Sequence, residues 1–464
     1  MESTALSKIR DYVSSLPGEK TDYCDLYVQS ATSRGILFED GRMDTLSSST
    51  NDGVGARLIR GEDTVYAHVP GATSAAAAWA LSEACGMSGT DVRRLPEGED
   101  ESLFPGTVPP PLPRLDADFF HDLDGKMRAE SPLLRQATFR YRSSVKSVLV
   151  IRGDGGLAAE ERTYTTFAVH VVVERDGLLQ TGYEARSLSS GVERFWEDSS
   201  AEEIAMAALR RGLLMLDSIP CPAGVMPVLL DGTAGGTMIH EACGHGLEAD
   251  IIRKDYSVYR DRVGELVANP LVTIVDDATL EGRYGSYLFD DEGTPARRTV
   301  LVEDGVLKGY MTDILSARMA GLPLTGNGRR ESYRHQPLPR MSNTFITAGN
   351  GKRDEMIAGM KRGLLVSRMG GGEVNPTSGD FVFYVTEGYL VEDGRVGAPV
   401  RGATLTGNGP ESLRNISAVG ETLVLEPGTC GKSGQGVPVT DGQPTLLIDN
   451  LIVGGCDTGD GCQA

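Results

Sequence analysis

The chain has 464 residues, and its 65 acidic against 45 basic side chains give a formal net charge of −20. A surface of that sign lacks the basic face that grips phosphate backbones, which argues against direct nucleic-acid binding. No run approaches the roughly 20 apolar residues that span a bilayer, and the opening MESTALSKIRDYVSSLPGEK has no apolar leader core, so a cytoplasmic chain of more than one domain and no membrane partner is expected.

Residues 22–72 read as antiparallel strands. GILFEDGRMDTLSSS sets Asp40-Gly41 between two strand-like runs, and GARLIRGEDTVYAHV repeats the pattern around Gly61. TSAAAAWALSEACG predicts a helix with Thr73 or Ser74 as N-cap and Gly86 just past its end. The Pro-rich, acidic stretch near 95–116 reads as a linker or surface-hugging loop. A helix is expected from about Asp116, then strands in VKSVLVIRGDGG, TYTTFAVHVVVERDG and LLQTGYEARSLSS, then the helix AEEIAMAALRRGLLMLDS. These elements define an N-terminal α+β domain over 1–221, arranged as two strand-plus-helix layers. A second domain, 222–464, opens with the strand VMPVLLD, passes through a helix bearing HEACGHGLEAD, and is thereafter strand- and Gly-rich, the hairpin TVLVEDGVLKGYMTD being its clearest element. The fold class is therefore α+β, with a β-rich C-terminal domain carrying one inserted helix.

That helix poses a geometric problem. The familiar hydrolytic zinc motif H-E-x-x-H spaces its histidines four apart, about 40° round a helix, whereas His240 and His245 are five apart, about 140° round. A π-bulge would bring them back to one side, or the helix could end at Gly244 and let His245 swing round; glycine eases either distortion. By spacing alone His240 and Cys243, three apart, are an equal pair. Glu241 tilts the choice to the two histidines, because hydrolytic zinc sites put a carboxylate beside the first ligand.

Catalytic zinc usually holds three protein ligands. The seven cysteines are odd in number, scattered and without a secretory signal, so no disulfide framework is expected. Cys430 in EPGTCGKSGQGVPV is the best third candidate, with glycines close by and Lys432 near enough to favour its thiolate. Cys456 and Cys462 sit in the loose tail GGCDTGDGCQA.

HEACGHGLEAD together with CGKSGQGVPVTDGQPTLLIDNLIVGG resembles the TldD branch of the TldD/PmbA family of zinc metallopeptidases, also described as modulators of DNA gyrase. The likeness extends through FDDEGTPARRTVLVEDGVLKGYMTD, GNGRRESYRHQPLPRMSNTFI, EVNPTSGDFVFYVTEGYL and VRGATLTGNG, and more loosely through LFEDGRMDTLSSSTNDGVGARLI. The family motif is H-E-x-x-x-H. The resemblance implies that His240, His245 and Cys430 hold one zinc ion per active subunit, with Glu241 as the catalytic carboxylate and Cys243 a bystander. It also implies pairing with a PmbA/TldE-like homologous subunit or with itself, in a dimer whose enclosed cavity admits unfolded polypeptides of the leader-peptide or antitoxin type, recognised as extended strands. The alternative is a polypeptide-holding or complex-forming subunit with a structural zinc.

Weaker candidates remain. Arg329, Arg330, Arg334 and Arg340 form the most basic stretch, RRESYRHQPLPR, suited either to clamping a substrate or to internal salt bridges. His335 is an oxyanion donor or a structural histidine. Glu248 is either a hydrogen-bond acceptor for a ligand histidine or a surface carboxylate.

Overall fold

The computed structural model of the protein describes residues 4–18, 21–90, 100–104 and 115–455. Most of the expected linker lies outside the described residues, as do Cys456 and Cys462. Strands β1 (Tyr23–Glu39), β2 (Arg42–Thr50), β3 (Gly53–Arg60), β4 (Asp63–Pro70), β5 (Leu134–Arg152), β6 (Leu157–Arg175) and β7 (Leu178–Leu188) form one antiparallel sheet in the order β4-β3-β1-β5-β6-β7, with β2 on the far end of β1. The β1–β2 turn places Asp40 and Gly41 at φ of 49° and 72°, the left-handed pair that a tight hairpin demands.

Two groups of helices cover this sheet. In β1 the even-numbered Cys24, Leu26, Val28, Ile36 and Phe38 are buried, and in β5 the odd-numbered Ala137, Phe139, Leu149 and Ile151. With a period of two, each set lies on one face. Helices α1 (Thr4–Ser14) and α2 (Ser74–Ser88) pack on one end of that face, and α3 (Ala117–Glu130), α4 (Val192–Glu197) and α5 (Ala201–Leu216) on the other. Both expected strand-plus-helix groups thus share strands that run through both. Thr73 caps α2 by accepting from the Ala76 N–H at 3.3 Å. The helix runs past Gly86, however, and stops at Gly89, where φ is 67° and the N–H of Thr90 turns back to the Cys85 carbonyl. The short helix α4 has no counterpart in the sequence reading.

The opposite face meets the rest of the chain. Tyr27, Val148, Val150 and Ala158 pack with Tyr333, and the buried Arg57 lies between Asp25 (2.9 Å) and Glu292 (2.7 Å). Removing one member of such a buried group leaves an uncompensated charge and typically costs about 3–5 kcal/mol.

Beyond residue 222 two large sheets form, with a two-stranded one, Gly328–Arg329 on Leu338–Pro339, beside them. Strands Arg362–Val374, Gly224–Leu230, Leu446–Gly454, Thr404–Asn408 and Asp380–Glu392 pair in that order, and the last pairs again with the first, closing a barrel. A six-stranded sheet ends in Asn343–Ile346, Gln435–Gln443 and Val424–Lys432, the last being its outer strand. Between barrel and sheet runs the inserted helix, 237–247, whose Met238, Ile239, Ala242, Cys243 and Leu247 are all buried in the shared core. Burial of each large apolar side chain contributes roughly 1.5–3 kcal/mol, so the helix is anchored from both sides. Among the described residues no helix is long and apolar enough to cross a membrane.

Candidate metal centre

The inserted helix begins as an α turn, Thr237–Ile239, widens into a π turn over His240–Gly244, and tightens into a 3-10 turn over His245–Leu247. The N–H of His245 reaches back five residues to the His240 carbonyl. Of the two ways to accommodate the five-residue spacing, the fold therefore uses the widened turn. Gly244 serves it by size and not by special dihedrals: its φ and ψ are helical, −54° and −58°, but a Cβ there would stand 2.0 Å from Met341 Sδ.

The consequence is that the two imidazoles face each other, their centroids 4.9 Å apart and their planes at 87°. His240 Nε2 lies 3.1 Å from Cys430 Sγ, and His245 Nε2 lies 3.5 Å from it. The three donor atoms fall within 4.8 Å of one another, and all three residues are buried. Bonds of about 2.0–2.3 Å to one ion place tetrahedral ligands roughly 3.3–3.8 Å apart, so this set of two nitrogens and one sulfur fits a zinc ion. Among the described residues no further His, Cys, Asp or Glu joins the group. Cys243 is not in it; burial pushes its thiol up to about 12.

Each histidine is oriented from behind. His240 Nδ1 is 2.7 Å from Asp441 Oδ1, and His245 Nδ1 is 3.0 Å from Glu248 Oε2. The first contact follows from a glycine at the start of the helix. Gly236 sits against the backbone of the strand Gln435–Gln443, where a Cβ would meet Gly442 N at 2.2 Å, and the His240 N–H bonds to the Gly236 carbonyl one turn on. Close approach of the two backbones thus delivers the imidazole to Asp441. Sequence reading missed Asp441. The available signal was an Asp inside a strand-like run, where aspartate is disfavoured unless a partner holds it.

Lys432 bridges the other side, its Nζ 2.9 Å from Glu248, 2.6 Å from Asp250 and 3.2 Å from the Pro339 carbonyl. Glu248 is fully buried, and Lys432 and His245 overcome that burial to hold its carboxyl down at about 2. Burial opposes the charge of His245 too, yet Glu248 raises it to about 9; His240 is likewise raised, against its burial, by Asp441 and Cys430. Burial alone would raise the Cys430 thiol, but the two imidazoles draw it down to about 5. The thiolate is thus favoured by the histidines, while Lys432, expected to do this, spends its charge on Glu248 and Asp250. Glu241, 19% exposed, has Oε2 4.0 Å from His245 Nε2, and burial raises its carboxyl.

Three of the four arginines lie inside the protein, whereas Arg334 is exposed and donates from Nε to the Tyr333 hydroxyl at 3.2 Å. Arg340 donates to the Cys430 carbonyl at 2.5 Å and the Gln435 carbonyl at 3.3 Å, bracing the hairpin that carries the sulfur. Arg329 donates to the Met341 carbonyl, and Arg330 stacks 4.4 Å over Tyr27 and donates to the Asp291 carbonyl. Arg329, Arg330 and Arg340 are buried; their contacts are mainly with internal carbonyls and rings, and Arg330 also lies 3.5 Å from Asp25. His335 is half-buried with Nδ1 3.0 Å from Ser332 Oγ. A cleft of about 590 Å³ lined by Tyr183, Thr237, Arg368 and Thr429 passes nearby, but none of the three donor residues lines it. Thr429 and Cys430 point to opposite faces of their strand.

An expected result tests the orienting carboxylates. Asp441→Asn and Glu248→Gln should each weaken zinc affinity by about 10–100-fold, read by competition with a chromophoric chelator, because a neutral amide orients and polarises the imidazole less well. Unchanged affinity in both would remove them from the site.

Three family models match consecutive parts of the chain: PmbA/TldA metallopeptidase domain 1 over 24–88, the central domain over 109–216, and the C-terminal domain over 223–455. The chain is 39% identical over 453 residues to a metalloprotease TldD homolog of Haemophilus influenzae, covering 94% of this chain and 93% of that one. It is 35% identical over 236 residues to a zinc metalloprotease TldD homolog of Saccharolobus solfataricus, covering 50% and 52%. The fold is shared with the crystal structure of TldE from Thermococcus kodakarensis, with a TM-score of 0.75 at 19% identity over 97% of this chain and all of that one. A Thermotoga maritima protein described as a modulator of a DNA gyrase superposes with a TM-score of 0.76 at 21% identity, over 97% of this chain and 100% of that one.

Proposed function

Since the chain belongs to the PmbA/TldD metallopeptidase family, we propose that it is a zinc-dependent peptidase whose metal is held by His240, His245 and Cys430. The observation that carries this reading is a buried set of three donors, with no fourth among the described residues. A structural zinc is closed by four protein ligands, whereas a catalytic one keeps a position for water. Bound there, zinc would lower the pKa of water to about 7 and polarise a scissile carbonyl.

The chain's own residues supply the rest. Glu241 stands beside the imidazoles with part of its carboxylate exposed and its proton affinity raised by burial. It is the group to take a proton from the attacking water and return it to the leaving amine. Asp441 and Glu248 keep Nε2 of both histidines directed at the donor cluster. Substrates are unfolded or extended polypeptides, of the leader-peptide or antitoxin kind, entering a dimer cavity. In support, Cys430 lies on a strand that among the described residues pairs on one side only, with Gln435–Gln443, and a free strand edge recognises extended backbone with little regard to side chains. The partner is a second copy or a TldE-like subunit, a fold this chain shares.

The test presents one cleavable sequence both as a free tail and inside a stable fold, with and without chelator. Cleavage of the tail alone, abolished by the chelator, is expected. Equal rates on both would refute the substrate class, and chelator-insensitive cleavage would refute the metal.

A further inference from the structure

A widened turn disturbs the regular bonding ladder and leaves carbonyls that must find donors elsewhere. The carbonyl of Ala242, inside the π turn, accepts from the Tyr259 hydroxyl at 2.9 Å. The carbonyl of Gly246, just after His245, accepts from Ser257 Oγ at 2.5 Å. Both donors come from one three-residue segment, itself tightened by the Tyr259 N–H on Ser257 Oγ at 3.1 Å. Tyr259 is 1% exposed, its own carbonyl accepts from the Tyr310 hydroxyl at 2.8 Å, and its ring lies so close to the helix that a Cβ on Gly246 would meet it at 2.7 Å. The segment thus touches the helix within two residues of each ligand histidine, on the main chain and not on the imidazoles.

We propose that Ser257 and Tyr259 form a strap that keeps this helix in its π form, making them positioning residues for the metal ligands. The regular alternative for the same residues is an α turn, in which positions five apart diverge by about 140° and the histidines separate. The Tyr259 hydroxyl meets a carbonyl of the widened turn, and Ser257 Oγ meets one in the 3-10 turn that follows His245, so removing them shifts the balance towards the register in which His240 and His245 separate. Cys243, inside the turn, is fully buried and has no ligand role in this scheme; its place is in the packing that the strap closes over. The inference rests on the reading that His240, His245 and Cys430 hold the metal.

The experiment uses the full-length chain with Tyr259→Phe, Ser257→Ala and the double variant. Zinc affinity is measured by chelator competition, and Co²⁺ substitution reports the ligand set through its d–d bands and its thiolate charge-transfer band. Each single variant should lose about tenfold or more in zinc affinity, as for other groups that hold ligands in place. Its Co²⁺ d–d bands should change while the thiolate band persists, because Cys430 lies on a different element. The double variant should lose more. A purely structural role would lower the melting temperature and leave affinity and spectrum unchanged, and that result overturns the proposal. Should Tyr259→Phe fail to fold, Ser257→Ala carries the same expectation. Wild-type protein that takes up no zinc would sink the metal reading and the strap with it, whereas wild-type binding matched by both variants sinks the strap alone.

Discussion

Glu241→Gln should yield a protein that folds and keeps its zinc but cleaves peptide at least about a hundredfold more slowly, within the roughly 10²–10⁴-fold that a positioned general base contributes. The structure supports the separation of roles. Glu241 lies outside the three-donor group, yet its carboxylate is 4.0 Å from a ligand nitrogen and 19% exposed. Glutamine keeps its shape and removes the proton acceptor. Zinc stoichiometry and cleavage rate on one preparation decide the matter: near-normal turnover takes Glu241 out of the mechanism, and lost zinc makes it a ligand.

Cys430→Ala should strip most of the metal, while Cys243→Ala should leave metal content near wild type. Loss of an orienting partner already weakens such sites by about 10–100-fold, so loss of a donor should exceed a hundredfold. Cys430 Sγ is the atom both imidazoles approach, at 3.1 and 3.5 Å. Cys243 is packed in the core with a thiol that burial keeps protonated, and its replacement should cost stability of about 1 kcal/mol instead. Retained zinc in Cys430→Ala, or lost zinc in a folded Cys243→Ala, would reverse the assignment; metal analysis of both variants reads it directly.

What the sequence determined by itself was local. Asp40-Gly41 and Asp304-Gly305 mark hairpins because their left-handed dihedrals suit few other residues. Thr73 and Asp116 start helices because a short oxygen-bearing side chain satisfies a free N–H within its own turn. The spacing of His240 and His245 posed the right question for the same reason: it is a statement about one helix. The answers lay at long range. The widened turn packs against Tyr259 and Met341, and the cysteine beside the histidines comes from a hairpin 190 positions away. Asp441 stands beside His240 where Gly236 lets the helix backbone approach the strand Gln435–Gln443. The charge of RRESYRHQPLPR left a substrate clamp and internal salt bridges equally open, and only the packing puts Arg329, Arg330 and Arg340 against buried carbonyls and rings. Capping and turn signals act through dihedrals and bonds within a few residues, so they are legible in order along the chain. The pairing of Lys432 with Glu248 and Asp250 is settled only when packing removes water and leaves each charge the partners that the fold has brought beside it.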